Sequence, residues 1–278
     1  MADDSDVSAR PPDLATEMCR ARLAADTRPA IQGLLLLDAT VRLVIWSGAI
    51  VLTTLVFSIC GLWPGRLPSR AEVGVALLWG LCAYGWVLLY NVIYVAELAV
   101  LRLFLPTPAE GEYRLVPGGP VDRQLVWASL IGVLVKARYE APFPGFLVHH
   151  VTSLPPMRWL VNRAFRLKSQ SCNVTDPLIM DPHLVTIGRN VVIGLGAVIT
   201  GHIQDRERIV FKRTIVEDNV IIGGQSGVLC GAHIKSGAVI GAHAVVLPDT
   251  VVGPDEFWAG VPARKIRDLP PLGAERAV

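Results

Sequence analysis

From Val216 onward the chain returns to a branched aliphatic residue at every sixth position: Val216, Ile222, Val228, Ile234, Ile240, Val246 and Val252, with Trp258 in the eighth place. Four residues after each of the first six stands Val220, Ser226, Ala232, Ala238, Ala244 or Thr250, all small or β-branched, before Glu256 breaks the series. A shorter stretch upstream repeats the pattern with Ile187, Ile193 and Ile199, and with Val191, Ala197 and Ile203 in the companion place. Side chains alternate in facing along a strand, so six residues suffice for one short strand and one corner. Three such units close a triangular coil. The aliphatic residue points inward from each face, and Gly188, Gly194 or another turn-tolerant residue relieves the backbone. Stacked coils bury a continuous apolar column. The expected fold is therefore mainly β: a parallel β-helix over residues 172–262 with a tail at 263–278.

Between the two registers the count fails, because Ile199 and Val216 are 17 residues apart. The interrupting segment, GHIQDRERIVFKR (201–213), is charged and is expected to loop out of the coil. A rigid scaffold that extrudes one polar loop is a common way to place functional side chains.

The first half of the chain has a different character. Leu43 to Gly65 is a run of 23 residues without a charge, and Val73 to Ala96 is a second run of 24. About 20 such residues cross the hydrocarbon of a bilayer. Joined by the short turn around Pro64 and Pro68, they read as a transmembrane helical hairpin over residues 41–105; a pair of buried core helices is the alternative. The first run starts too late and is too long for a cleaved signal peptide. Arg22, Arg28 and Arg42 precede the first run and Arg102 and Arg114 follow the second, against Arg66 and Arg70 in the turn. The positive-inside bias puts both termini and the coil on the cytoplasmic side, in a multi-pass inner-membrane protein. Residues 1–40 form a polar cytoplasmic segment. Residues 106–171 connect the two halves, and their apolar run at 124–135 is too short to span and is expected along the interface. Glu97 reads either as a polar group beside a substrate path or as an interfacial carboxylate paired with Arg102.

These apolar runs account for a composition that is 52% hydrophobic and only 18% charged, where a soluble domain carries about a quarter charged residues. The net charge of +2 gives no reason to expect nucleic acid as a partner. Cys19, Cys60, Cys82, Cys172 and Cys230 contain no CxxC pair and read as reduced thiols.

The repeat resembles the left-handed β-helix (hexapeptide-repeat) acyltransferases. The ending DEFWAGVPARKIRDL (255–269) looks like their closing coil and tail, and the loop opening at His202 looks like the segment that carries their catalytic histidine. More narrowly, DPHLVTIG (181–188), then the GH loop, then the repeat is similar to the membrane-anchored C-terminal domains of polylysine-synthetase-type peptide synthetases, over roughly residues 110–270.

That resemblance implies a coenzyme A thioester as acyl donor and His202 as general base. An imidazole is suited to take the proton of an attacking hydroxyl or amine near neutral pH. Asp205 or Glu207, on the same loop, would fix its tautomer. Gly241 and Ala242 would let the pantetheine arm approach the coil, and Arg264, Lys265 and Arg267 would pair with the nucleotide phosphates. Trp258 is expected to cap the apolar column. The resemblance further implies a homotrimer with active sites between neighbouring coils, no metal, and direct attack without a covalent enzyme intermediate. A hairpin in the bilayer beside such a site suggests a lipid-linked, amphiphilic or peptide-like acceptor. Two rivals stand beside this reading: a non-catalytic membrane-tethered trimeric scaffold, and a γ-carbonic-anhydrase-like metal enzyme, against which position 207 offers no histidine five residues after His202.

Overall fold

The computed structural model describes residues 14–65, 73–114, 122–139, 151–169, 172–174, 177–205 and 208–271. Residues 1–13, Arg66, Arg70 and Glu207 lie outside the described residues.

The six-residue repeat folds into three parallel faces. One carries Val185–Ile187, Thr214–Val216, His233–Ile234 and Val251–Val252. The second carries Val191–Ile193, Ile221–Ile222, Val239–Ile240 and Glu256–Ala259. The third carries Leu178–Ile179, Val198–Ile199, Gly227–Val228 and Val245–Val246. The register aligns the repeat with itself: Val216 lies between Ile187 and Ile234, Ile222 between Ile193 and Ile240, and Val228 between Ile199 and Val246. Each aliphatic residue of the repeat is at most 1% exposed, and Val220, Ala232, Ala238 and Ala244 are wholly buried beside them. Burying each such side chain stabilises the coil by about 1.5–3 kcal/mol. The corners need left-handed backbone, supplied by Asn190, Asn219, His243, Asp249 and Asp255 with φ between 51° and 59°. Gly237 (φ 76°) meets the same demand without a Cβ penalty. Trp258 packs half-buried against the end of the column, its Nε1 donating to Glu256 at 2.8 Å.

The interrupting segment does leave the coil, and its described residues form strands. His202–Asp205 and Arg208–Phe211 form an antiparallel hairpin, extended by Gly111–Arg114 from the connecting region into a three-stranded sheet. Phe211 explains this. It is buried with Leu125 and Leu184 and meets the Tyr113 ring edge-on at 5.7 Å, so the alternating RIVF strand has an apolar side to bury.

The helices before the coil include α1 (Leu14–Ile59), α2 (Val73–Phe104), α3 (Arg123–Tyr139) and α4 (Pro155–Phe165). Stretches Leu35–Ile59 and Val73–Phe104 are long and apolar enough to cross a membrane. Leu43, Val51, Leu55 and Ile59 on α1, and Leu77, Leu78 and Leu81 on α2, stand exposed. The C-terminal half of α2 is instead buried: Tyr90, Tyr94 and Leu98 pack with Ile45 and Ala49 of α1, Ile131 and Leu134 of α3, and Val161 and Phe165 of α4. The third apolar run joins this bundle. Its aliphatic face is used up in a helix bundle, and the Tyr94 hydroxyl ties it in by donating to the Ala137 carbonyl at 2.7 Å. Leu178 and Met180 pack half-buried on this bundle, so the first coil rests on it. Glu97 and Arg102 do not pair. A Glu97 oxygen faces Gly48 of α1, while Arg102 donates to the Leu105 carbonyl at 2.9 Å and to the Thr107 hydroxyl at 3.1 Å.

Candidate active site

The hairpin begins at the residue that matters most. His202 is the first residue of its first strand, and its carbonyl accepts from the Thr200 hydroxyl at 2.9 Å. Thr214, wholly buried at the end of the insertion, donates in turn to the Thr200 carbonyl at 2.7 Å, so both ends of the insertion are pinned to one point. The imidazole is partly exposed. It leans on the Phe211 ring at a centroid distance of 5.6 Å, and its Nδ1 is hydrogen-bonded to the Asp181 carboxylate.

Asp181 is held from the other side. It adopts left-handed backbone (φ 53°) just before the short 3-10 turn Pro182–Leu184 and is 6% exposed. Gly201 makes the meeting feasible, since a Cβ there would come within 2.8 Å of Leu184 Cβ and 3.0 Å of Asp181 Cβ. The hydrogen bond to Asp181 outweighs burial and raises the His202 pKa above its ordinary value. With Nδ1–H donated to the carboxylate, Nε2 is left as the basic atom. The pair is a base with its orienting group.

The other sequence candidates are placed elsewhere. Asp205, expected beside His202, is exposed and paired with Arg208 at 3.4 Å, because strand pairing carries it to the far end of the hairpin. Arg208 also donates to Glu112 at 3.0 Å. The carboxylate on His202 thus comes from 21 residues upstream and not from its own loop. Gly241 and Ala242 lie on a stacked corner of small residues: a Cβ on Gly223 would meet Gly241 C at 2.6 Å, and one on Gly241 would meet Ala259 Cβ at 3.1 Å. Arg264, Lys265 and Arg267 lie on the strand Arg264–Asp268, which turns back antiparallel on the last coil. Lys265 is neutralised by Glu256 at 2.7 Å and Asp268 at 2.6 Å. Arg267 lies 5.7 Å from the Phe257 ring, and Arg264 donates to the Ala263 carbonyl at 3.0 Å; neither has a carboxylate partner among the described residues. Among those residues no three His, Cys, Asp or Glu side chains converge as a metal site would require.

Sequence reading passed over Asp181 although it opens DPHLVTIG. The usable signal was an acidic residue before a proline at the threshold of the first regular coil, matched by a glycine directly before His202.

An 82-residue stretch is 37% identical to the 2,3,4,5-tetrahydropyridine-2,6-dicarboxylate N-acetyltransferase of Staphylococcus aureus, covering 30% of this chain and 32% of that protein. The likeness is to a hexapeptide-repeat acetyltransferase sequence. The chain spans about a third of the length of the curated relatives it matches. No family model matches. Among solved structures, a galactoside acetyltransferase in complex with coenzyme A is 18% identical with a TM-score of 0.40, over 55% of this chain and 86% of that one. A hexapeptide-repeat containing-acetyltransferase from Vibrio cholerae O1 biovar eltor complexed with acetyl coenzyme A is 19% identical with a TM-score of 0.39, over 56% and 96%.

Proposed function

We propose that this chain is a membrane-anchored acyltransferase that moves an acetyl or longer acyl group from a coenzyme A thioester to a hydroxyl or amine. The observation that carries the reading is the imidazole of His202, fixed by the buried Asp181 and presenting Nε2 at the point where the hairpin leaves the coil. Nε2 takes the proton from the acceptor as its oxygen or nitrogen attacks the thioester carbonyl carbon. The tetrahedral centre then collapses, the C–S bond breaks, and the departing sulfur recovers the proton from the imidazolium. The Asp181 carboxylate stabilises the imidazolium between the two transfers.

The donor fits residues of this chain. Arg264 and Arg267 lack carboxylate partners among the described residues and suit the nucleotide phosphates, while Lys265, already neutralised, contributes less. The corner of Gly241 and Ala242 offers main chain without bulky side chains. Exposed Val192 and Ile221, side by side on one face, with Leu195 and Val251, support assembly of the left-handed coil as a homotrimer with the donor between subunits. The exposed apolar stretches of α1 and α2 support anchoring in the inner membrane with the coil on the cytoplasmic side, as in the polylysine-synthetase-type domains that the sequence resembles.

The deciding experiment follows acetyl-CoA with a thiol reagent in the presence of candidate hydroxyl and amine acceptors. Acceptor-dependent release of free CoA that disappears in His202→Ala supports the reading. Thioester cleavage unchanged in that variant would place the chemistry elsewhere or leave the protein a scaffold.

A further inference from the structure

The apolar column of the coil ends in a hole. On the face that carries Val252, Ile234, Val216 and Ile187 in register, the next place belongs to Ser169, paired with Ile187. A hydroxymethyl group stands where every later coil puts a branched aliphatic side chain, and Leu167 packs half-buried on the column nearby. The space left between this end of the coil, α3 and α4 is a cavity of about 510 Å³. Small-molecule sites run to about 300–1,000 Å³. The buried wall is apolar: Val135 of α3, Val161 and Phe165 of α4, and Ile179, Ile187 and Ile193 of the coil.

The charged part of the lining is all basic. Arg138, half-buried in the last turn of α3, donates through Nη2 to the Tyr139 hydroxyl and lies 4.6 Å from the centre of that ring. The Tyr139 hydroxyl donates in turn to the carbonyl of Pro177 on the cavity wall, which ties the guanidinium to the coil. Arg158, exposed on α4, donates through Nη2 to the Ser153 carbonyl at 3.1 Å. Neither guanidinium has a carboxylate partner among the described residues, and no carboxylate lines the cavity. Asn162 of α4, half-buried, also lines it, and its side-chain amide has no hydrogen-bond partner among the described residues.

An apolar cavity takes an apolar guest, and two guanidinium groups on one wall without an acid ask for an anion. We propose that this cavity is a binding site for a single-chain anionic amphiphile. Its alkyl chain lies against the end of the apolar column, and its head group accepts from Arg138, Arg158 and the Asn162 amide. The planar fork of Arg fits a carboxylate or a phosphate alike, so the head group is one of these two. The site goes beyond acyl transfer and does not rest on it. Pro182 lines the cavity and directly follows Asp181 in the chain, so one side of the cavity is continuous with the turn that holds His202.

The test uses the full chain in phosphatidylcholine nanodiscs without any thioester. Its melting temperature is followed against decanoate, decyl phosphate, decanol and decyltrimethylammonium, because a ligand that binds only the folded state raises it. The two anions are expected to raise it; the alcohol and the cation are not. A lower midpoint for decanoate assigns a carboxylate head group, a lower one for decyl phosphate assigns a phosphate, and equal midpoints assign a site that reads charge alone. Arg158→Gln, at an exposed position, should raise the anion midpoint about tenfold, the size of one lost charge-assisted hydrogen bond. Ser169→Ile puts a branched aliphatic in the end place of the column and fills the cavity from the coil side. It should weaken both anions at least as much while the free protein still melts in one transition. No rise with either anion, an equal rise with decanol, or an unchanged midpoint in both variants overturns the site. His202→Ala should bind the anions as the natural chain does, so a lost acyltransfer activity and a lost amphiphile site are read separately.

Discussion

Asp181 and His202 are 21 residues apart in the chain and share a hydrogen bond across the base of the hairpin, carboxylate oxygen to imidazole Nδ1. One residue comes from the turn before the first regular coil and the other from the first strand of the insertion.

Replacing Asp181 with Asn keeps the shape and removes the charge that orients and protonates the ring. Activity is expected to fall by roughly 10²–10⁴-fold, the range of a lost base or a misplaced tautomer. In the natural protein kcat/KM should rise with pH through a pKa above 6.5, since Nε2 must be unprotonated and Asp181 favours the protonated ring. In D181N that limb should move to lower pH. A pH profile of acceptor-dependent CoA release checks both; an unmoved limb would separate Asp181 from the chemistry.

The two neighbouring histidines should make stability depend on pH with opposite signs. The folded pKa of His202 is raised, so its contribution is complete below about 6.5, the unfolded value, and is lost as pH rises through the folded pKa. Burial, aided by the nearby guanidinium groups and opposed by Asp181, pushes His183 down to about 4. Its contribution is present above 6.5 and is lost as pH falls from there toward 4. Thermal unfolding in phosphate-free buffer should therefore lose an acid-side decline in His183→Phe and an alkaline-side decline in His202→Ala.

The coil should be sensitive to small cavities. Ile234 is wholly buried between Val216 and Val252. Ile234→Ala is expected to cost about 2–5 kcal/mol, measured as a lower midpoint in denaturant. Because repeats are stabilised by their neighbours, hydrogen exchange should quicken in the flanking coils as well.

The hairpin predicts a labelling pattern. Cys60 is an exposed free thiol directly after α1, at the end of that helix remote from the coil. In sealed vesicles a membrane-impermeant maleimide should reach Cys60 only from the face opposite the coil, with Cys60→Ser as the control. Labelling from the coil's own side would show that the helices do not span.

The coil and the two apolar helices are legible along the chain, because both are written in local patterns. A side chain repeated every six residues must face one column if it is to be buried at all, and Val216 to Val252 are so buried. A long run without charge likewise needs no partner to be recognised. The insertion at 201–213 was legible as a break in the count, but its hairpin was not, since Phe211 becomes a core residue only against Leu125, Leu184 and Tyr113 from other segments. The fate of 124–135 was undecided for the same reason: an apolar stripe says that something will cover it and not what. Tertiary structure alone decided the site. Asp205 is the nearer carboxylate in sequence, yet an extended strand carries it away toward Arg208, while stacking and Gly201 bring Asp181 to the ring. Contacts of that kind depend on how distant pieces of chain pack, and no period along the sequence records them.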